Sequence, residues 1–253
     1  MGVLDAGPAR DVIGGGNTMR AERVQAFSDG VFAILLTILV LEFVVPDYQE
    51  GHLFEAILGQ WPIMFAYVLT FTYMGVVWLF HHDLFASVKT TSIWLNILNL
   101  VLIFVCSLLN YATSLLSTAI ATGNGTDMAA AFGIYDVNAM AISAAFMVLY
   151  FYLHRHPKLY SSPVFDGYFG WMSRSAGISV LIYALALAAN FWSIQLGAAL
   201  LIGGVIFHAL AYAGSAHSYR RSRRKVLREA RRQALKDAPG PESEPGPQSG
   251  PPA

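Results

Sequence analysis

The sequence predicts an all-α integral membrane protein with six transmembrane helices per chain. Its 253 residues are 55% hydrophobic and only 13% charged, whereas soluble domains carry about 25% charged residues. Six apolar segments each approach the roughly 20 residues that a helix needs to cross a bilayer. They lie at approximately residues 27–45, 61–80, 93–120, 130–153, 171–192 and 194–216.

Polar residues stand at the start of the first predicted span. Arg23, Ser28 and Asp29 precede an apolar run that ends at Pro46. Burying a charge in hydrocarbon is costly, so ionisable residues at this depth are candidates for a functional site. Ser28 and Asp29 could instead cap the helix, but residues 19–26 contain no helix breaker, which favours an earlier helix start.

The apolar part of the first span forms one narrow stripe. At about 100° per residue, Ile34, Ile38 and Leu41 fall within about 60° of one another, with Thr37 at the edge of the stripe. Asp29 lies about 140° from Ile34 around the helix, so we expect it to face neighbouring helices that supply its partner. Periodicity alone is also consistent with ordinary helix packing of the stripe.

The second span ends in His81-His82-Asp83, a run that could suggest a metal site. Zinc sites take three or four protein ligands, and the other histidines do not repeat this motif. A structural role is therefore favoured, and no metal is expected.

Polar residues inside the later spans leave a second function open. Asn110, Asp136 and Asn138 could form interhelical hydrogen bonds, which we favour, or a transport site. The alternative to a channel is therefore an ion-coupled secondary transporter that uses the intramembrane carboxylates of Asp29 and Asp136. Transporters often contain internal repeats, and the sequence shows none. A membrane enzyme is not expected, because the sequence offers no nucleophile–base pair.

The charges outside the spans predict the orientation of the chain in the cell membrane. Every Lys and Arg falls near the chain ends, in the second-to-third and fourth-to-fifth connections, or at the start of the fifth span. The positive-inside rule makes that side cytoplasmic, with both termini on it. The opposite connections carry carboxylates and no Lys or Arg. These carboxylates belong to Asp47, Glu50, Glu55 and Asp127.

The residues from Arg23 onward resemble the transmembrane protein 175 family, potassium channels of lysosomes and of prokaryotic membranes. The resemblance rests on motifs in the first three spans: Arg23-x-x-x-Phe27-Ser28-Asp29, Trp78-Leu-Phe-His81-His82 and Trp94-Leu95-Asn96. The single six-span unit is similar to that of prokaryotic members, which assemble as tetramers.

The resemblance implies a potassium channel without a cofactor, in which the first helix of each chain lines a central pore of a homotetramer. Matched by position, Ile34, Ile38 and Leu41 would form a hydrophobic constriction, and Thr37 would contribute to cation selectivity. An apolar ring of this kind can close a pore by dewetting. Arg23 shares the wheel face of Ile34, and a ring of guanidinium groups would repel cations from the pore. We therefore expect either a bend in the helix or a turn of the Arg23 side chain toward a carboxylate.

The resemblance also implies a structural network that locks the first helix onto the second and third. We expect this lock, and not an ion site, at the Phe-Ser-Asp motif. Its expected members are Arg23, Phe27, Ser28, Asp29, Trp78, His81 or His82, and Asn96.

The domain organisation follows from these segments. Residues 1–19 should be a flexible cytoplasmic N-terminus, residues 20–217 the six-helix transmembrane channel domain, and residues 238–253 a disordered tail rich in Pro, Gly and Ser.

Residues 218–237 hold nine of the sixteen Lys and Arg residues and should form a basic cytoplasmic helix. That helix could contact anionic lipid headgroups or an assembly partner, or be a solvated topology anchor. It lacks the interleaved aromatic residues of nucleic-acid sites, so no nucleic acid is expected.

Overall fold

A computed structural model describes residues 21–162 and 164–237. Within these residues the regular structure is helical. The α-helices are α1 (Ala21–Ile38), α2 (Leu53–Gly59), α3 (Trp61–Ser87), α4 (Ile93–Thr122), α5 (Gly125–Arg155), α6 (Val164–Ala189) and α7 (Ile194–Asp237). Two 3₁₀-helices cover Leu39–Glu42 and Pro157–Leu159. The expectations for residues 1–19 and 238–253 lie outside the described residues.

Six of these helices are long and apolar enough to cross a membrane. They are α1 with its 3₁₀ extension, α3, α4, α5, α6, and α7 as far as Ser215. The prediction of an all-α protein with six spans is therefore confirmed. Several helices extend beyond the predicted segments, because hydropathy marks the apolar part of a helix and not its polar ends. The short helix α2 was not predicted, since its seven residues are too few to give a periodic pattern.

The helices pack in an order set by short connections. Helix α5 packs between α4 and α6, α7 packs against α6 and α3, and α1 lies across α3 and α4. Gly123 ends α4 with φ 69°, in the left-handed region that favours glycine. Asn124 then caps α5 by accepting hydrogen bonds from two backbone N–H groups. The connection between α6 and α7 occupies only residues 190–193, so these two helices form a tight hairpin.

Polar residues inside the spans bond to neighbouring helices. The Asn190 amide donates to Asp136 Oδ2 over 2.9 Å, and the Asn138 amide donates to the Val105 carbonyl over 3.0 Å. These contacts join α5 to α6 and to α4. Asp136 and Asn138 thus form hydrogen bonds with the α6–α7 connection and with α4, as the sequence favoured over a transport site.

Two connections pair at one end of the bundle. Val88, after α3, forms an isolated antiparallel bridge with Tyr160, before α6. The Lys89 backbone N–H donates to the Leu159 carbonyl over 2.8 Å. This end also carries Lys158, so it is the side on which the basic residues of the connections lie.

Candidate pore-lining helix and its anchoring network

Helix α1 has one buried and one exposed face. Its buried face consists of Ala21, Val24, Ser28, Phe32 and Leu35. The opposite face carries an exposed stripe, which we define as Ile34, Thr37, Ile38 and Leu41. The exposed fraction is 60% for Ile34, 38% for Ile38 and 74% for Leu41. A single subunit therefore leaves an apolar stripe of its first span uncovered.

The end of α1 changes helix type without breaking the stripe. From Leu39 to Glu42 the backbone is a 3₁₀-helix, in which residues three apart eclipse one another. Leu41 therefore stands directly one turn beyond Ile38. Nearby, the Asn110 amide of α4 donates to the Leu35 carbonyl over 3.4 Å, which attaches this end of α1 to the bundle.

The Thr37 hydroxyl is oriented by its own helix. It lies 2.8 Å from the Ala33 carbonyl and 3.0 Å from the Ile34 carbonyl. Because both partners are acceptors, the hydroxyl proton points at the backbone and the oxygen lone pairs remain as acceptors. Thr37 thus adds an oxygen acceptor to an otherwise apolar stripe.

Asp29 is held by two side chains of α3. The Trp78 indole donates to Asp29 Oδ1 over 2.9 Å, and His82 Nδ1 lies 3.3 Å from Asp29 Oδ2. An ionised carboxylate only accepts hydrogen bonds, so His82 Nδ1 is the donor. Gln25 of α1 then reaches the His82 carbonyl over 3.4 Å. Both carboxylate oxygens therefore tie α1 to α3.

A second, fully buried chain of hydrogen bonds joins three helices. Ser28 Oγ donates to the Val24 carbonyl over 2.9 Å and accepts from the Asn99 amide of α4 over 3.0 Å. The Asn99 carbonyl oxygen in turn lies 2.7 Å from His81 Nε2 of α3. Because the Asn99 oxygen can only accept, His81 carries its proton on Nε2. These three buried bonds favour one packing arrangement of α1, α3 and α4, although His81 Nδ1 has no hydrogen-bond partner among the described residues.

Aromatic rings enclose the buried histidine. The His81 ring stacks on Phe85 at 4.6 Å between centroids and lies 5.1 Å from Phe32 of α1. The apolar surroundings keep water away from the His81–Asn99 bond, which strengthens it.

The structure brings together some of the expected network and separates the rest. Ser28, Asp29, Trp78, His81 and His82 interact, so both histidines take part. Asn99 occupies the place expected for Asn96, whose side-chain oxygen has no hydrogen-bond partner among the described residues. The two asparagines are one turn apart in an apolar helix, and that spacing was the only signal for Asn99. Which of the two asparagines reaches His81 depends on the lengthwise register of α4 against α3, and the sequence does not give that register.

Two other expected members lie elsewhere in the subunit. Phe27 is 55% exposed and Arg23 is also exposed. Both residues share the side of α1 that carries the exposed stripe, because they fall within about 20° of Ile34 on the helical wheel. Within one subunit they therefore do not join Ser28 and Asp29, and the expectation of a common cluster is corrected in this respect.

The carboxylates of the transporter alternative have separate surroundings. Asp29 bonds to α3, whereas Asp136 bonds to Asn190 just beyond α6. In the described part of the chain the two residues share no hydrogen-bond partner. Among those residues, no three His, Cys, Asp or Glu side chains are grouped so that they could hold a metal ion.

Comparisons with known proteins match the part of the chain that holds this network. The family model described as "Endosomal/lysosomal potassium channel TMEM175" matches residues 23–109, from the start of α1 into α4. A potassium channel of Streptomyces collinus is 36% identical over 143 residues, which cover 56% of this chain and 68% of that channel. The chain belongs to the TMEM175 family.

Two further TMEM175 relatives extend the comparison. A crystal structure described as a lysosomal potassium-selective channel TMEM175 homolog from Chamaesiphon minutus matches with a TM-score of 0.65 and 26% identity, over 76% of this chain and 97% of that one. The endosomal/lysosomal proton channel TMEM175 of Gallus gallus is 40% identical over 88 residues, 31% of this chain and 18% of that protein.

The family expected from the sequence, in its prokaryotic form, is confirmed by these matches. TMEM175 proteins are ion channels and not enzymes, which confirms the non-enzymatic expectation. The protein is accordingly a multi-pass membrane protein of a channel family.

Proposed function

We propose that this TMEM175 protein is a potassium-selective channel, a homotetramer whose central pore is lined by α1. The observation that carries the proposal is the exposed stripe of Ile34, Thr37, Ile38 and Leu41 on a helix whose other face is fixed by buried polar bonds. The relatives named potassium channels support the choice of permeant ion.

The composition of the exposed face favours a pore over contact with lipid. Contact with hydrocarbon is most costly for a charged side chain, so a guanidinium on the exposed side of α1 favours an aqueous neighbour over lipid. Arg23 and Thr37 lie on the same exposed side of α1 as Ile34. In a closed oligomer with rotational symmetry, every chain presents the same patch to the axis. A water-filled axis would solvate the Thr37 oxygen, whereas the Arg23 guanidinium would have to turn aside to a carboxylate so that it does not repel cations.

The stripe explains how such a pore could open and close. Rings of isoleucine and leucine side chains exclude water when they are narrow, and a small widening admits partly hydrated ions. Ile34 and Ile38 are one turn apart, about 6 Å along the helix axis, so they would form consecutive rings. The sequence has no Thr-Val-Gly-Tyr-Gly filter, so a cage of backbone carbonyls is not part of the proposal.

Thr37 is the proposed selectivity residue. It lies between the levels of Ile34 and Ile38, and its hydroxyl proton is directed at the backbone. One Thr37 from each chain would present an oxygen acceptor to a passing cation.

The network around Ser28 and Asp29 is proposed as the structural lock of the pore helix. Its partners Trp78, His82 and Asn99 come from α3 and α4. These bonds set the rotation of α1 about its own axis and therefore decide which residues form the stripe.

The proposed setting is the cell membrane, with both termini cytoplasmic. Lys89, Arg155 and Lys158 lie at the end of the bundle where the two connections pair, whereas Asp127 lies at the other end. On this orientation the part of α7 beyond Ser215 would be at the cytoplasmic surface, within reach of anionic headgroups. Impermeant maleimide should label a cysteine placed at Glu50 from outside intact cells, and one at Lys158 only after lysis, in a Cys106→Ser background.

The proposal is tested by ion flux from proteoliposomes that contain the purified protein. We expect passive potassium flux that exceeds sodium flux under matched gradients. A proton-sensitive dye in a parallel experiment separates potassium current from proton current, since vertebrate relatives are named proton channels. Flux that strictly requires a proton gradient or a counter-substrate would contradict the channel and support the transporter that uses Asp29 and Asp136.

A further inference from the structure

A half-open cavity of about 400 Å³ lies between α3, α6 and α7, away from α1. It is bounded by the last turns of α3, the first turns of α6 and the middle of α7, at the end where the connections pair. Its polar and aromatic lining consists of Asp83, Ser87, Phe165, Tyr168, Tyr212 and Ser215. The cavity shares no lining residue with the exposed stripe or with the network around Asp29.

The lining combines one carboxylate with three aromatic rings. Asp83 is half-buried, and among the described residues it forms no ion pair with a basic side chain. The Tyr212 phenol lies beside the Asp83 carboxylate. A half-buried carboxylate without a basic partner favours a cation that compensates for the part of its hydration that is lost.

The rings suit a cation that has an apolar body. Phe165 and Tyr168 are arranged edge to face, with their centroids 6.3 Å apart. The faces of aromatic rings attract ammonium groups, and pockets with several aromatic residues recognise quaternary ammonium ligands. Two phenols and a phenyl ring also provide apolar surface for methyl and methylene groups.

The same lining is a poor site for an inorganic ion. Mg²⁺ and Ca²⁺ take six or more oxygen ligands, whereas this cavity offers one carboxylate and a few hydroxyl groups. Its volume falls within the roughly 300–1,000 Å³ of small-molecule sites. We infer that the cavity binds an organic ammonium cation, with the charge at Asp83 and the carbon atoms against Phe165, Tyr168 and Tyr212.

Two sources could supply this ammonium group. One is the headgroup of a phospholipid such as phosphatidylethanolamine, and the other is a free amine in the aqueous phase. The inference stands independently of the proposed channel activity, because it concerns binding to each subunit.

The experiment compares full-length protein in nanodiscs with Asp83→Asn and Phe165→Leu variants. In one arm, the nanodiscs contain a mixture of phosphatidylethanolamine and phosphatidylglycerol, and native mass spectrometry measures the phosphatidylethanolamine that stays bound. In the other arm, the nanodiscs contain only phosphatidylglycerol, and equilibrium dialysis measures the binding of radiolabelled choline. Asp127→Asn, which removes a carboxylate at the opposite end of the bundle, is the control.

We expect Asp83→Asn to weaken binding by at least about tenfold, because the charge partner is lost. Phe165→Leu keeps the apolar volume and removes one ring, so it should weaken binding about two- to tenfold. Loss of phosphatidylethanolamine retention identifies the lipid as the source, and loss of choline binding identifies a free amine. If neither probe binds, or if Asp83→Asn and Phe165→Leu bind as Asp127→Asn does, the inference is overturned.

Discussion

The Trp78 indole donates a hydrogen bond to Asp29 Oδ1 over 2.9 Å and so joins α3 to α1. Asp29 lies about 140° around the helix from Ile34. The bond therefore fixes the rotation of α1 and turns Ile34 away from the bundle. Helix α1 is thereby divided into an anchored face and an exposed face.

Replacing Asp29 should damage the assembly of the protein more than its ion preference. In Asp29→Asn, one oxygen can still accept from Trp78, but the amide that replaces the other cannot accept from His82. A hydrogen bond to a charged group is worth about 1.5–3 kcal/mol, so we expect a loss of stability of that order. Thermal unfolding and size-exclusion chromatography measure it, with Asp127→Asn as the control. A stable oligomer with an altered reversal potential would instead place Asp29 in the ion pathway.

Asn99 and Asn96 provide a matched pair on one helix. Asn99→Ala leaves the buried His81 Nε2 without its acceptor, and an unsatisfied buried group costs about 1–3 kcal/mol. Asn96 lies one turn earlier, and its oxygen has no hydrogen-bond partner among the described residues. We therefore expect Asn96→Ala to lower the free energy of unfolding by less. Equal losses for the two variants would show that the Ser28–Asn99–His81 chain does not stabilise the subunit.

The sequence predicted the spans and the two faces of α1 because both follow from local patterns. Hydropathy locates six helices, and a period of 3.6 residues places Asp29 opposite the stripe. The sequence did not distinguish Asn99 from Asn96 as the partner of His81. That choice depends on the lengthwise register of α4 against α3. The 3₁₀ turn from Leu39 to Glu42 also has no local sequence signal.

The family motif suggested that Phe27, Ser28 and Asp29 act together, but they point in different directions around α1. Phe27, Ser28 and Asp29 are consecutive, yet successive residues of a helix point about 100° apart. Ser28 and Asp29 reach α4 and α3, while Phe27 remains on the exposed side. A contiguous motif is therefore divided between the anchor and the proposed pore surface.

Thr37 should affect selectivity, and Thr118 should not. Thr37→Val keeps the shape of the side chain but removes its oxygen acceptor. We expect the preference for potassium over sodium to fall by roughly 1 kcal/mol, about fivefold, the worth of one polar contact. Thr118 of α4 is also exposed and donates to the carbonyl one turn before it, over 2.9 Å. Reversal potentials under bi-ionic conditions compare Thr37→Val with Thr118→Val. An unchanged potential in Thr37→Val would exclude Thr37 as a selectivity residue.

The central claim is that α1 lines the ion pathway, and the potassium conductance of Ile34→Asn tests it most directly. A polar side chain at a hydrophobic constriction should wet it, so we predict a several-fold higher conductance than in the wild type. Ile178 on α6 is 50% exposed, and Ile178→Asn controls for a polar residue placed on another exposed surface. If an Ile34→Asn oligomer of normal size conducts like the wild type, or if Ile178→Asn increases conductance equally, Ile34 is not the constriction and the account is contradicted.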